Sequence, residues 1–84
     1  MAHLYILYSE ILQKYYVGST GNSLEERLRR HLSNHDGFTG RSKDWKIVYS
    51  EFYPEINLAI KREREIKAWK SKVRIRELIL KEKG

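Results

Sequence analysis

"KYYVGSTGNSLEERLRRH" (Lys14–His31) decides how this chain is read. Two tyrosines and a valine favour extended backbone, Gly18-Ser19-Thr20 ends the strand, and a helix follows within a few residues. Side chains alternate along a strand, so Tyr16 and Gly18 share one face while Tyr15 and Val17 share the other. Ser23, with Glu26 three residues later, forms a capping-box pattern that starts the helix at Leu24. Leu24, Leu28 and Leu32 then make a buried stripe at helical spacing, bordered by Arg27 and His31 one turn apart. Adjacent tyrosines that feed a helix of arginines and a histidine have both a packing reason and a chemical one.

The flanking segments complete the pattern. Upstream, "HLYILYS" (His3–Ser9) is apolar or aromatic on both parities, which reads as a strand buried on both faces. The short connection Glu10–Gln13 makes the two strands an antiparallel hairpin. Downstream, "HDGFTGRSKD" (His35–Asp44) is a long polar loop with two glycines, a length that points to contact with a substrate or to mobility. "WKIVYSEFY" (Trp45–Tyr53) alternates with period 2. Trp45, Ile47 and Tyr49 are expected on one face and Lys46, Val48 and Ser50 on the other, with Pro54 ending the strand. "NLAIKREREIKAWK" is a second helix with Asn57 as its cap. Ser71 caps a third, "KVRIRELILKEK", whose Ile75, Leu78 and Ile79 form an apolar face. The order β-β-α-β-α-α describes an α/β chain of the α+β kind, a small antiparallel sheet with helices packed against it.

At 84 residues the chain reads as one domain, 1–84. It has no cysteine, which excludes a disulfide framework and thiolate metal sites. "MAHLYILYSEILQKYY" has no apolar run long enough for a signal peptide or a membrane span, and a cytoplasmic location is expected. The formal charge is +6, and from Glu55 to Gly84 ten Lys and Arg stand against five Glu. That balance favours a polyanionic partner, most simply nucleic acid; a solvated lysine-rich surface accounts for charge alone equally well.

Individual residues point less far. Tyr5, Tyr8, Tyr15, Tyr16, Tyr49 and Tyr53 are each explained singly by strand propensity and packing. His3, His31 and His35 do not make a zinc set. "GSTGNS" lacks the lysine and spacing of a P-loop, and no Gly-x-Ser-x-Gly elbow occurs. In the second helix Glu63 lies one turn after Ala59 and three residues before Ile66, whereas Glu65 lies one turn before Trp69. Periodicity leaves both open, and an intrahelical Glu63–Lys67 ion pair is the structural alternative. The residues alone stop at a small basic domain suited to nucleic acid.

The segments together resemble the GIY-YIG nuclease superfamily, in particular its small stand-alone bacterial single-domain branch. His3-Leu4-Tyr5 takes the place of Gly-Ile-Tyr, and Tyr16-Val17-Gly18 takes the place of Tyr-Ile-Gly. "ERLRRH", "GFTGRSKDWKIVY" and "LAIKREREIKAWK" continue the resemblance over almost the whole chain. It implies a three-stranded antiparallel sheet flanked by helices and a metal-dependent endonuclease acting on phosphodiesters, with DNA as the favoured substrate. By motif it also implies Tyr5, Tyr16, Arg27, His31 and Glu63 as the catalytic set, with Glu63 holding Mg²⁺ or Mn²⁺. "GSTGNSLEERL" carries one residue more than the usual spacing, which leaves Arg29 and Arg30 as neighbouring alternatives to Arg27. Free tyrosine, with a pKa of about 10, acts as a base at neutral pH only when nearby positive charge lowers it. Arg30, Arg41, Lys43, Lys67 and Lys70 are the expected contacts to the nucleic-acid backbone. The alternative function is a non-catalytic nucleic-acid-binding module that retains the fold, and a protein partner is left open.

Overall fold

The computed structural model describes residues 1–33, 37 and 39–83. The loop residues His35, Asp36 and Phe38 of the sequence reading lie outside them. Strands β1 (Ala2–Ser9), β2 (Lys14–Thr20) and β3 (Lys46–Tyr53) and helices α1 (Leu24–Ser33), α2 (Ile56–Trp69) and α3 (Lys72–Lys83) follow in the order β-β-α-β-α-α. The sheet order is β2-β1-β3, with both pairings antiparallel. β1 is therefore central, which explains why it is apolar on both parities.

Each face of β1 has its own core. Leu4 and Ile6 join Val17 and Tyr49 on the face covered by Ile66 of α2 and by Ile75, Leu78 and Ile79 of α3. Tyr5 and Leu7 join Trp45 on the other face, against which Leu24, Leu28 and Leu32 of α1 pack. The sheet thus lies between α1 and the α2–α3 pair. Tyr15 packs in the first core and Tyr16 in the second, as the alternation of β2 requires.

β3 departs from the expected alternation. Ile6 pairs with Tyr49 but Leu7 with Ile47, so Val48 is skipped and the register shifts. A bulge of this kind places an extra residue on one strand and turns the side chains beyond it. Trp45 and Ile47 consequently serve the Tyr5 core, while Tyr49 crosses to the Leu4 core together with Val48. Trp45 precedes the strand proper, although it is 3% exposed.

Two of the three expected helix caps are present. Ser23 Oγ accepts the Glu26 N–H at 3.1 Å, and Ser71 Oγ accepts the Arg74 N–H at 3.2 Å. The expected Asn57 cap is not: α2 starts at Ile56, directly after the extended Glu55. Burial of Ala59 and Ile66 sets the phase of α2, and Asn57 falls inside its first turn. Successive residues then pin α2 across the sheet. Arg62 Nε donates to Glu51 of β3 at 3.0 Å, while Glu63 accepts the Ser19 hydroxyl of β2 at 2.5 Å.

Candidate active site

Tyr5 is the centre of the site. Its ring is buried on the α1 side of the central strand, at 1% exposure. It fits there because its partner across the hairpin is Gly18. A Cβ at Gly18 would meet Tyr5 Oη at 2.5 Å and Cζ at 2.6 Å. The glycine that ends the "YYVG" run is therefore required by the phenol ring of the neighbouring strand.

Helix α1 brings two groups to the Tyr5 hydroxyl. Arg27 Nε donates to it at 3.2 Å, and His31 Nε2 lies 2.7 Å from it. Arg27 is the arginine so placed. Arg29 is exposed, and Arg30 pairs with Glu26 at 3.8 Å. His31 is the one buried residue of α1, although the leucines form its apolar stripe. Its other ring nitrogen, Nδ1, lies 3.0 Å from the Thr39 hydroxyl in the short 3₁₀ turn Thr39–Arg41. The Tyr16 ring meets the His31 ring edge-on at 4.9 Å. Tyr16, Arg27, Arg30, His31, Ser33, Gly37 and Thr39 line a cleft of about 530 Å³.

The electrostatics follow from burial. Desolvation raises the Tyr5 pKa above its ordinary value and outweighs the lowering by Arg27, so the phenol keeps its proton at neutral pH. Burial, helped by the Arg27 charge, lowers the His31 pKa, so the imidazole is neutral. Arg27 is held more firmly charged by the Tyr5 hydrogen bond. The Glu63 carboxylate acts on both Tyr5 and Arg27, which ties α2 electrostatically to the cleft.

Glu63 and Lys67 approach from the α2 side, at the free edge of β2. Glu63 is bound by Ser19 through Oε1, and Lys67 Nζ lies 2.6 Å from Oε2. The ion pair that helical spacing offered as the structural alternative therefore forms. Lys67 also stands 5.9 Å from the Tyr16 ring centre. Glu65 instead turns outward to Arg62 at 3.1 Å. The other basic candidates are more dispersed. Arg41 is exposed on the 3₁₀ turn, and Lys43 donates to the Leu32 carbonyl at 2.8 Å, bracing the end of α1. Lys70, left-handed at φ 48°, caps α2 and lines a separate groove with Tyr15 and Lys72.

Residues 1–77 match the GIY-YIG catalytic domain. The chain belongs to the GIY-YIG nuclease family. No curated protein and no solved structure matches it. In this GIY-YIG domain the first motif begins at His3, whose ring packs edge-on against Phe52 with centroids 5.7 Å apart. No helix among the described residues is long and apolar enough to cross a membrane.

A divalent ion of the kind the resemblance implies can be tested against the donors present. Among the described residues no three His, Cys, Asp or Glu side chains gather into a ligand set, so a zinc or calcium cage does not fit. One carboxylate, with a side chain 19% exposed and an exchangeable lysine as its partner, fits an ion that keeps most of its waters, such as Mg²⁺ or Mn²⁺.

The sequence reading missed several supporting residues. Thr39, Trp45 and Ser19 each fix a catalytic candidate or its neighbour. Asp44 accepts from the Ser9 and Ser42 hydroxyls and the Ile11 N–H, so it clamps the loop to the end of β1. These hydrogen bonds hold its carboxyl at about 2. Short polar residues in a loop give no periodic signal that would reveal such contacts.

Proposed function

We propose that this chain is a metal-dependent endonuclease that hydrolyses phosphodiester bonds, with DNA as its preferred substrate. The observation that carries this reading is the hydrogen-bonded chain Arg27–Tyr5–His31, in which buried Tyr5 backs the Arg27 and His31 that line a cleft together with Tyr16. Phosphodiester hydrolysis needs a base for the attacking water, a cation for the phosphate and help for the leaving oxygen. Family membership supports the reaction class, and the geometry suggests how the roles divide.

Tyr16 is the general base, acting directly or through one water, because the Tyr5 proton is committed to the buried chain. Arg27 is oriented through its Nε, which keeps its terminal amino groups for the scissile phosphate and its developing charge. Both ring nitrogens of His31 are engaged inside the protein, so it acts through Tyr5. Glu63 would hold the divalent ion once Lys67 yields. Held there, it would supply charge neutralisation at the phosphate and a more acidic water. Arg30 lines the same cleft and would receive a backbone phosphate, with Lys67 beside Tyr16 at its rim, whereas Arg41, Lys43 and Lys70, the last in a separate groove, would meet more distant parts of the nucleic acid.

The test is incubation with supercoiled, branched and single-stranded DNA and with RNA, in Mg²⁺, in Mn²⁺ and in chelator. Cleavage of DNA that requires the divalent ion is the expected result. Binding without cleavage of any substrate in either metal would make the protein a nucleic-acid-binding module on a nuclease fold.

A further inference from the structure

Among its described residues, the loop between α1 and β3 reaches His31 through Thr39. Thr39 is 3% exposed. Its carbonyl accepts the Trp45 indole N–H at 2.9 Å, and Trp45 is itself buried beside Tyr5 and Leu7. Thr39 is therefore fixed by the core, with its hydroxyl 3.0 Å from His31 Nδ1.

The proton positions follow from counting donors. The Tyr5 oxygen already accepts the Arg27 Nε–H. Its own proton has one acceptor at hydrogen-bond distance among the described residues, His31 Nε2 at 2.7 Å. Nε2 therefore accepts, the neutral ring carries its proton on Nδ1, and that proton is donated to Thr39 Oγ1. In the opposite tautomer the Tyr5 oxygen would receive two donors, and its own buried O–H would lose its acceptor.

We infer that Thr39 is a positioning residue: its hydroxyl oxygen accepts the buried Nδ1–H that the Tyr5–Arg27 contact imposes on His31, and by satisfying that proton it holds the ring tautomer, the direction of the Tyr5 O–H and the seat of Arg27. Thr39 thereby acts on the site through His31. A histidine partner that holds one tautomer is worth about tenfold to a hundredfold where such partners support metal-bound histidines.

Long-range ¹H–¹⁵N NMR of the His31 ring, assigned by comparison with His31→Asn, reads the tautomer directly. The wild type should show Nδ1–H. Thr39→Val keeps the shape and the Trp45 bond to the backbone but removes the hydroxyl. It should mix the two tautomers and lower kcat by about tenfold to a hundredfold with little change in KM. Thr39→Ser should restore both. Nε2–H in the wild type, an unchanged tautomer in Thr39→Val, or a Thr39→Ser variant as impaired as Thr39→Val would each overturn the inference. The kinetic half rests on the proposed nuclease activity. The NMR half does not, so the variants' spectra decide the matter even if the wild type cleaves nothing, and Thr39→Ala, which also removes the hydroxyl, is read in the same way if Thr39→Val does not fold.

Discussion

Gly18→Ala is the smallest change that should disable the site. The added Cβ would lie 2.5 Å from Tyr5 Oη, 2.6 Å from Cζ and 3.1 Å from a Tyr16 ring carbon. Reaching ordinary contact at 3.4 Å requires the Tyr5 ring to move by about 0.8–0.9 Å. The ring is buried and held by contacts of 2.7 Å to His31 and 3.2 Å to Arg27, and no shift of that size leaves both intact unless α1 moves with it. Overpacking costs roughly 1–3 kcal/mol and a lost hydrogen bond about 1 kcal/mol, while replacing a strand glycine returns about 0.5–1 kcal/mol. The net loss is about 1–3 kcal/mol, or a fall of roughly 5–20 °C in Tm for a domain of this size. Misplacement of a site by about 1 Å lowers activity on the order of 100-fold. Gly21→Ala is the control, because a Cβ there meets nothing within 4 Å and should change stability by less than about 0.5 kcal/mol. Thermal melts and cleavage rates of the two variants are compared. A Gly18→Ala protein that melts and cleaves like Gly21→Ala would refute the close packing of Tyr5 on β2.

Tyr16→Phe should lose about 100-fold or more in cleavage with folding retained, whereas Tyr15→Phe, in the opposite core, should lose little; equal losses would contradict the register of β2. Asp44 has a folded pKa of about 2, below its ordinary value, so the stability it contributes is full above about pH 4 and disappears as the pH falls through about 2. Denaturation curves for Asp44→Asn should therefore lie below wild type at neutral pH and converge with it in acid, and a constant offset would contradict the clamp on Ser9 and Ser42. Affinity for duplex DNA should fall steeply with salt, and Arg30→Gln should lower the slope of log affinity against log salt by about 1. A salt-independent affinity would remove the phosphate-binding role of the cleft.

The parts of the fold legible in the sequence are those written in periodicity and caps. Ser23 and Ser71 start helices where their spacing says, and the apolar parity of β1 marks it as central. The bulge in β3 was hidden because period 2 was read as unbroken, and a skipped residue shows only in the pairing with β1. His31 looked like a boundary residue because its partners Tyr5 and Thr39 come from a strand and a loop, not from its own helix. Helix phase alone left Glu63 and Glu65 open, since both sit a turn from an apolar residue. The pinning of α2 between Glu51 and Ser19 turns Glu63 toward β2 and Glu65 toward Arg62. The same contact engages Oε1 of Glu63 and leaves Oε2 to Lys67.

Glu63 would hold the divalent ion that cleavage requires, and Glu63→Gln tests this proposal most directly. The change keeps an acceptor for Ser19 and removes the charge. The Glu63 ion pair with Lys67 is open to solvent on the lysine side, with side chains 19% and 51% exposed, and the glutamine side chain keeps the Ser19 contact, so the loss of stability should be on the order of 1 kcal/mol. Glu65→Gln makes the same chemical change on the outward face of α2, and Arg62 retains Glu51 when Glu65 is neutralised. Cleavage of DNA is measured for both variants across a Mg²⁺ and Mn²⁺ titration, alongside DNA affinity. Glu63→Gln should bind DNA at least as tightly as wild type and cleave none of it at any metal concentration, while Glu65→Gln should cleave normally. An active Glu63→Gln protein, or activity lost only in Glu65→Gln, would contradict the proposal.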